Sequence, residues 1–300
     1  MLIDEIVSKC DKRYSNLADC QCEDCPCETE CSHDCKECLE NVHFPDRTTI
    51  RREYDCVNMA DCYYCKYSYR YASELIYGLR QFRDIKNRDI LKVMSIGCGP
   101  CTELAAIDYM LSKGEIHYNK LEFVGIDPLK NVWGNIWDDI KDYLADDDIE
   151  FLDRDILDII NIITENNWVP DLIIFQYVFS DMNKKNSRVK IERFIDTFAD
   201  FLNEHTEKAV YVIANDINLS VMYSGGREFF DVLAKKIGSE FFFPYHFDNL
   251  NRENHYHYGT EYEENSIFFD IPRSVNQKYI PFDSCASAQV LIIKKKEEGL

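Results

Sequence analysis

One stretch, Leu91 to Pro128, constrains this chain more than any other: LKVMSIGCGPCTELAAIDYMLSKGEIHYNKLEFVGIDP. It reads as strand, glycine turn, helix, strand and carboxylate. The β-branched and apolar run from Lys92 to Ile96 ends at Gly97-Cys98-Gly99-Pro100. A helix is predicted from Thr102, which can cap it, with Leu104, Ala105 and Leu111 among its apolar positions. A second strand, from Leu121 to Ile126, stops at Asp127-Pro128. Glycines let the backbone pass close to a ligand, and a helix N-terminus points N–H groups at it. An acid at the tip of the second strand can accept hydrogen bonds from two ribose hydroxyls. Together these features predict a nucleoside cofactor site.

A dinucleotide fingerprint would read G-x-G-x-x-G, whereas this turn reads G-C-G-P-C-T. It has no third glycine, and Asp127 lies farther along than the usual spacing of about 20 residues. Instead, Ser95 to Leu104 and the acid after the next strand resemble motifs I and II of the class I S-adenosylmethionine-dependent methyltransferases. Cys101 replaces a glycine of that pattern. The resemblance implies cofactor contacts from Ser95, Gly97, Cys98 and Gly99, and ribose contacts from Asp127 with Pro128. It also implies adenine contacts after the third strand, from Asp155 with Ile156 (Asp153 being the competing neighbour), while Gln176 and Tyr177, after the fourth, border both cofactor and substrate. The implied reaction moves the sulfonium methyl group to a nucleophile by in-line displacement, for which positioning can suffice. The end of the fourth strand carries no [DNS]-P-P-[YFW] motif, no cysteine nucleophile and no histidine base. Tyr177 and Asp181 lie nearby, but no catalytic residue stands out.

Further elements follow in alternation. Val132, Ile136, Ile140 and Leu144 give a helical face, and Ile149 to Leu152 a third strand. The continuous apolar run from Asp171 to Phe179 predicts a central parallel strand. A helix over 188–203, a strand from Ala209 to Ala214, a helix near 227–237, a strand over 240–243 and a last strand from Ala288 to Lys294 complete the set. The expected fold class is α/β: a doubly wound, seven-stranded, mostly parallel sheet with an antiparallel last strand. About residues 244–285 form an insertion containing His246, His255 and His257, expected either as a substrate lid or as a surface excursion.

The first 65 residues have a different composition. They hold eleven of the fourteen cysteines: Cys10, Cys20, Cys22, Cys25, Cys27, Cys31, Cys35, Cys38, Cys56, Cys62 and Cys65. Between Cys20 and Cys38 there is hardly an apolar residue, so hydrophobic burial alone cannot fold the segment. Pairs at C-x₂₋₄-C spacing predict a small metal-stabilised module holding zinc, with an iron–sulfur cluster as the alternative; His33 and His43 are further candidate ligands. The predicted organisation is therefore a metal module over 1–65, a linking helix over 66–90 and a methyltransferase domain over 91–300.

Residues 63–92 carry net charge +4 and six tyrosines, at 63, 64, 67, 69, 71 and 77, inside a chain of net charge −20. Basic residues with interleaved aromatics can grip single-stranded nucleic acid, so this helix either docks RNA or packs the module onto the catalytic domain. The expected acceptor is macromolecular, RNA or protein, docked by the metal module. A small-molecule acceptor and a non-catalytic scaffold, the latter suggested by Cys101, are the alternatives. The N-terminal residues lack a signal-peptide apolar region, and no apolar run is long enough to span a membrane. A cytoplasmic location is expected.

Overall fold

A computed structural model describes residues 1–15, 34–43, 53–155, 158, 168–185, 188–205, 208–219, 225–237, 241–247 and 259–295. The opening stretch forms β1 (Ile90–Ile96) and β2 (Lys120–Ile126), paired in parallel with Ile90 opposite Lys120. β3 (Asp148–Leu152) extends the sheet beyond β2, and β4 (Leu172–Gln176) lies on the other side of β1. β5 (Val210–Ile217) follows β4 in parallel. The remaining strands are β6 (Phe241–His246), β7 (Thr260–Glu261) and β8 (Ser287–Lys294), giving the order β3-β2-β1-β4-β5-β8-β6-β7. The predicted antiparallel last strand is β8, inserted between β5 and β6 and opposed to both. The sheet has eight strands rather than seven, because the insertion adds the two-residue β7 beside β6.

One face of the sheet is covered by α1 (Leu2–Ser15), α3 (Val57–Gln81), α4 (Thr102–Ser112) and α5 (Lys130–Tyr143), with α2 (Cys35–His43) packed on α3. The other face is covered by α6 (Val178–Lys185), α7 (Arg188–His205) and α8 (Glu228–Ile237). The wrapping is doubly wound as expected, with the strand order reversing between β1 and β4, where ligands of such sheets bind at the carboxyl ends of the strands.

The predicted strand from Asp171 to Phe179 ends early, at Gln176. Tyr177 turns into the left-handed region at φ 60° and donates its N–H to Asn215 O at 2.8 Å. The Asp216 carboxylate, reaching over from β5, then accepts the Ser180 N–H at 2.9 Å in the first turn of α6. An apolar run thus becomes helix because a residue from a different strand satisfies its backbone.

The N-terminal third departs furthest from expectation. α1 buries Leu2, Ile3, Ile6, Val7 and Cys10 in the same core as the sheet. Arg13 forks onto Asp61 of α3 and also reaches Asp139 of α5, joining three helices through charge-assisted bonds. The expected boundary at residue 65 falls inside α3, one unbroken helix. Its six tyrosines are 0–8% exposed, so their faces are occupied by packing and do not offer bases a stacking surface. Arg70 donates to Ser284 O at 2.7 Å and lies over the Phe282 ring, while Arg80 pairs with Glu115 and lies over Phe268. The packing alternative for this helix is the one realised.

The metal reading finds no support among the described residues, where no group of three or more His, Cys, Asp or Glu could hold an ion. Cys10, Cys62 and Cys65 face helix packing instead. Arg13 donates to Cys10 Sγ at 3.3 Å, and the Cys65 thiol donates to Val7 O at 3.8 Å. Cys35, Cys38 and Cys56 lie on α2 and at the start of α3, and among the described residues they complete no ligand set. Cys20, Cys22, Cys25, Cys27, Cys31 and His33 lie outside the described residues, as do His255 and His257.

The described part of the insertion folds back onto α3. Ser73 Oγ accepts the Phe268 N–H at 3.0 Å, and Tyr77 donates to Ser266 O at 3.0 Å. From α9 (Arg273–Tyr279), Val275 and Tyr279 are buried in the core. These contacts tie this part to α3 and the core, while much of it stays exposed at the surface.

Candidate cofactor site at the carboxyl ends of the strands

At the end of β1 the chain makes a tight turn with Gly97 at φ 64° and Gly99 at φ 48°. A Cβ on Gly97 would stand 2.8 Å from Val178 Cγ2, so only glycine suits both its conformation and its space. The Gly97 and Cys98 N–H groups both donate to Ile126 O, at 2.8 and 3.1 Å, binding the turn to the end of β2. There Asp127 takes over. Its Oδ2 accepts the Gly99 N–H at 3.0 Å and its Oδ1 accepts the Leu129 N–H at 2.9 Å. The acid predicted to face a ribose therefore also braces the glycine turn.

Cys101 occupies a left-handed position at φ 60°, the conformation for which a glycine would be the easy choice. A side-chain-bearing residue thus adopts this conformation here. Thr102 does not cap α4 as predicted; Cys101 is the N-cap residue. The Thr102 hydroxyl instead donates to Gln176 Oε1 at 3.1 Å, and Gln176 Nε2 donates to Tyr71 O at 2.7 Å. These bonds tie the turn, the end of β4 and α3 together.

Above the turn stands an aromatic wall. Trp137 donates to Gly99 O at 2.8 Å. The Trp133 ring would meet a Gly99 Cβ at 3.9 Å, and its buried Nε1 has no hydrogen-bond partner among the described residues. Tyr54 and Tyr63 approach Trp133 at 5.5 and 5.4 Å between ring centroids. Burial pushes the Tyr54 phenol well up from its ordinary pKa, and the nearby Asp181 and Asp127 carboxylates add to this. On the β4 side, Tyr177 packs on Tyr71 at 4.2 Å and donates to Glu74 Oε2 at 2.7 Å. Glu74 is fully buried, and its Oε1 accepts the Ala286 and Ser287 N–H groups at 2.8 and 3.2 Å. Burial raises its pKa, opposed by Arg70 and these hydrogen bonds.

Gly97, Cys98, Gly99, Asp127, Gln176 and Tyr177 thus meet at the carboxyl ends of β1, β2 and β4. Ser95 is fully buried, with its hydroxyl donating to Glu103 Oε1 at 3.0 Å. Pro128 and Asp155 are exposed, Asp155 lying just beyond β3, and Ile156 lies outside the described residues. Sequence reasoning assigned no role to Glu74, Tyr54, Trp133 or Asp216, and placed Tyr71 only among the tyrosines offered to nucleic acid. An acid in the middle of a tyrosine-rich helix was the one available signal for Glu74.

Neither a protein-family model nor a curated protein matches the sequence. Solved structures that resemble the chain include a proposed rRNA methylase from Clostridium thermocellum, 12% identical, covering 77% of this chain and 98% of that one, with TM-score 0.42. Another is a proposed class I S-adenosylmethionine-dependent methyltransferase from Listeria monocytogenes, 11% identical, covering 93% and 73% respectively, with TM-score 0.40. A third, SMU.776, a proposed methyltransferase complexed with S-adenosylhomocysteine, is 12% identical, covers 73% and 48%, and has TM-score 0.39. Likeness at this level leaves the functional argument to the strand order and the site.

Proposed function

We propose that this chain binds S-adenosylmethionine and transfers its methyl group. The observation that carries the reading is the left-handed glycine turn ending β1, braced through Gly99 N–H by the Asp127 carboxylate at the tip of β2. It stands where the strand order reverses, the place at which such sheets bind ligands. The surroundings suit the cofactor. Trp133 Nε1 is a buried donor beside the turn awaiting an acceptor, and unpaired buried donors call for one. When bound, the cofactor would supply a sulfonium-activated methyl group. In this reading Gly97, Cys98 and Gly99 let it approach, Asp127 accepts from its ribose with Pro128 beside it, and Asp155 and Ile156 lie toward its adenine. Gln176 and Tyr177 separate it from the acceptor, with Ser95 supporting the turn from below through Glu103.

For the acceptor, the proposal is a macromolecule docked through the cysteine-rich N-terminal segment, which is more than the transfer itself requires. With the tyrosines and Arg70 of α3 committed to packing, a protein suits this acidic chain better than RNA. A small acceptor is the second reading, favoured by the roof that Tyr54, Tyr63 and α3 place over the turn. Zinc, or an iron–sulfur cluster, remains the proposed staple for the cysteines between 16 and 33. Transfer of labelled methyl from S-adenosylmethionine into cell extract, fractionated into protein, RNA and small molecules, tests the activity and separates the acceptors. Absence of label from every fraction, with protein that binds the cofactor, would refute the transferase reading. Metal analysis of anaerobically purified protein tests the staple: zinc is expected, iron with sulfide would reverse the choice, and neither metal would remove it.

A further inference from the structure

The glycine turn contains a second piece of chemistry. Cys98-Gly99-Pro100-Cys101 is a C-x-x-C pair whose thiols the cofactor reading does not use. Backbone geometry sets the two residues against each other. Cys101 N–H donates to Cys98 O at 2.7 Å, closing a four-residue turn whose end Cα atoms lie within about 7 Å. A disulfide takes Cα atoms about 4.4–6.8 Å apart. Both thiols are free, and each shifts the other's pKa as a near neighbour. Gly125 on the neighbouring β2 leaves the first sulfur its room, because a Cβ there would stand 3.0 Å from Cys98 Sγ.

We infer that Cys98 and Cys101 form a thiol–disulfide exchange site that reacts with low-molecular-weight disulfides. Both thiols are buried, Cys98 at 4% and Cys101 at 0% exposure, so exchange requires the turn to open, with Cys98 as the first thiol reached. Its thiolate, having lost a proton to water, displaces one thiol from the external disulfide and forms a mixed disulfide. Cys101 then loses its proton and attacks the Cys98 sulfur, releasing the second thiol. One external disulfide is reduced to two thiols while the two cysteine thiols are oxidised to one bridge. Burial raises both thiol pKa values, Cys101 to about 11, which slows the first step at neutral pH. The second step is intramolecular between residues that one hydrogen-bonded turn holds together, and such placement favours it. The bridge would span Gly99, whose N–H meets Asp127, so the oxidation state is written into the turn itself. This site goes beyond the cofactor reading and does not depend on it.

The test holds the intact protein in buffers of stepped reduced-to-oxidised glutathione ratio, then quenches with acid, unfolds, alkylates and maps peptides. The peptide carrying residues 98–101 is expected to pass reversibly from doubly alkylated to internally bridged as the buffer becomes more oxidising. Cys101→Ser should trap glutathione on Cys98, whereas Cys98→Ser should leave Cys101 alkylatable. The wild-type measurement stands even if a variant fails to fold. If both thiols stay alkylatable in the native protein at the most oxidising ratio, while the urea-unfolded chain forms the bridge in the same buffer, the site does not exist. S-adenosylmethionine does not enter the assay, so its outcome is separate from that of the methyltransferase reading.

Discussion

At the scale of single residues, Glu103 shows a conflict between burial and charge. It lies 1% exposed in the first turn of α4, and loss of hydration pushes its carboxyl up from an ordinary 4.5 to about 7, despite the Ser95 hydroxyl donating to it. A carboxyl held above its unfolded value favours the protonated folded chain. Its contribution to stability is fully present below about pH 4.5 and is lost as pH rises to about 7. At about 1.4 kcal/mol per tenfold change in proton affinity, the loss is roughly 3 kcal/mol. Glu103→Gln is therefore expected to raise the thermal midpoint at pH 8 and to change it little at pH 4. An equal shift at both pH values would contradict this assignment. Gly97 makes a simpler case. Gly97→Ala combines a left-handed φ with a Cβ at 2.8 Å from Val178, and about 1–2 kcal/mol for the backbone plus about 1–3 kcal/mol for overpacking should appear as lost stability in urea unfolding. A neutral result would mean that the turn is looser than described.

Among the elements, α3 decides the most and was the least legible. Its six tyrosines, with Lys66, Arg70 and Arg80, read as polar decoration, yet the helix lies between α1, α2, α4 and the sheet. Burial of this kind is set by what packs on the helix from distant parts of the chain, and no local periodicity records it. The glycine turn, the strands around it and the antiparallel last strand were legible, because glycine punctuation and apolar runs are local signals. The end of β4 was not, since the group that starts α6 belongs to Asp216 on β5. The same non-locality hides Glu74, whose bonds reach Tyr177, Ala286 and Ser287. Glu74→Ala leaves these buried groups unpaired, at about 1–3 kcal/mol each. It is expected to cost about 3 kcal/mol or more in denaturant unfolding. Glu74→Gln, which keeps an acceptor for the two N–H groups, should cost much less. Equal losses would show that the carboxylate charge, not the hydrogen bonds, holds α3 to β8.

Across the whole molecule, the N-terminal residues bear on both stability and function. Leu2, Ile3, Ile6 and Val7 are each 0–2% exposed, and burying such side chains is worth about 1.5–3 kcal/mol apiece. Native proteins hold only about 5–15 kcal/mol in reserve. Deleting residues 1–15 should therefore abolish cooperative thermal unfolding, while an unchanged transition would show that α1 belongs to a separable unit. The sheet order, the braced turn and the aromatic roof converge on one central claim, that the carboxyl ends of β1, β2 and β4 hold S-adenosylmethionine. Isothermal titration calorimetry with S-adenosylmethionine and S-adenosylhomocysteine, on wild type and on Asp127→Ala confirmed as folded, tests it most directly. One saturable site in the wild type, weakened tenfold or more by the substitution, is the predicted result. No heat of binding in the wild type, or identical affinity in both proteins, would contradict it.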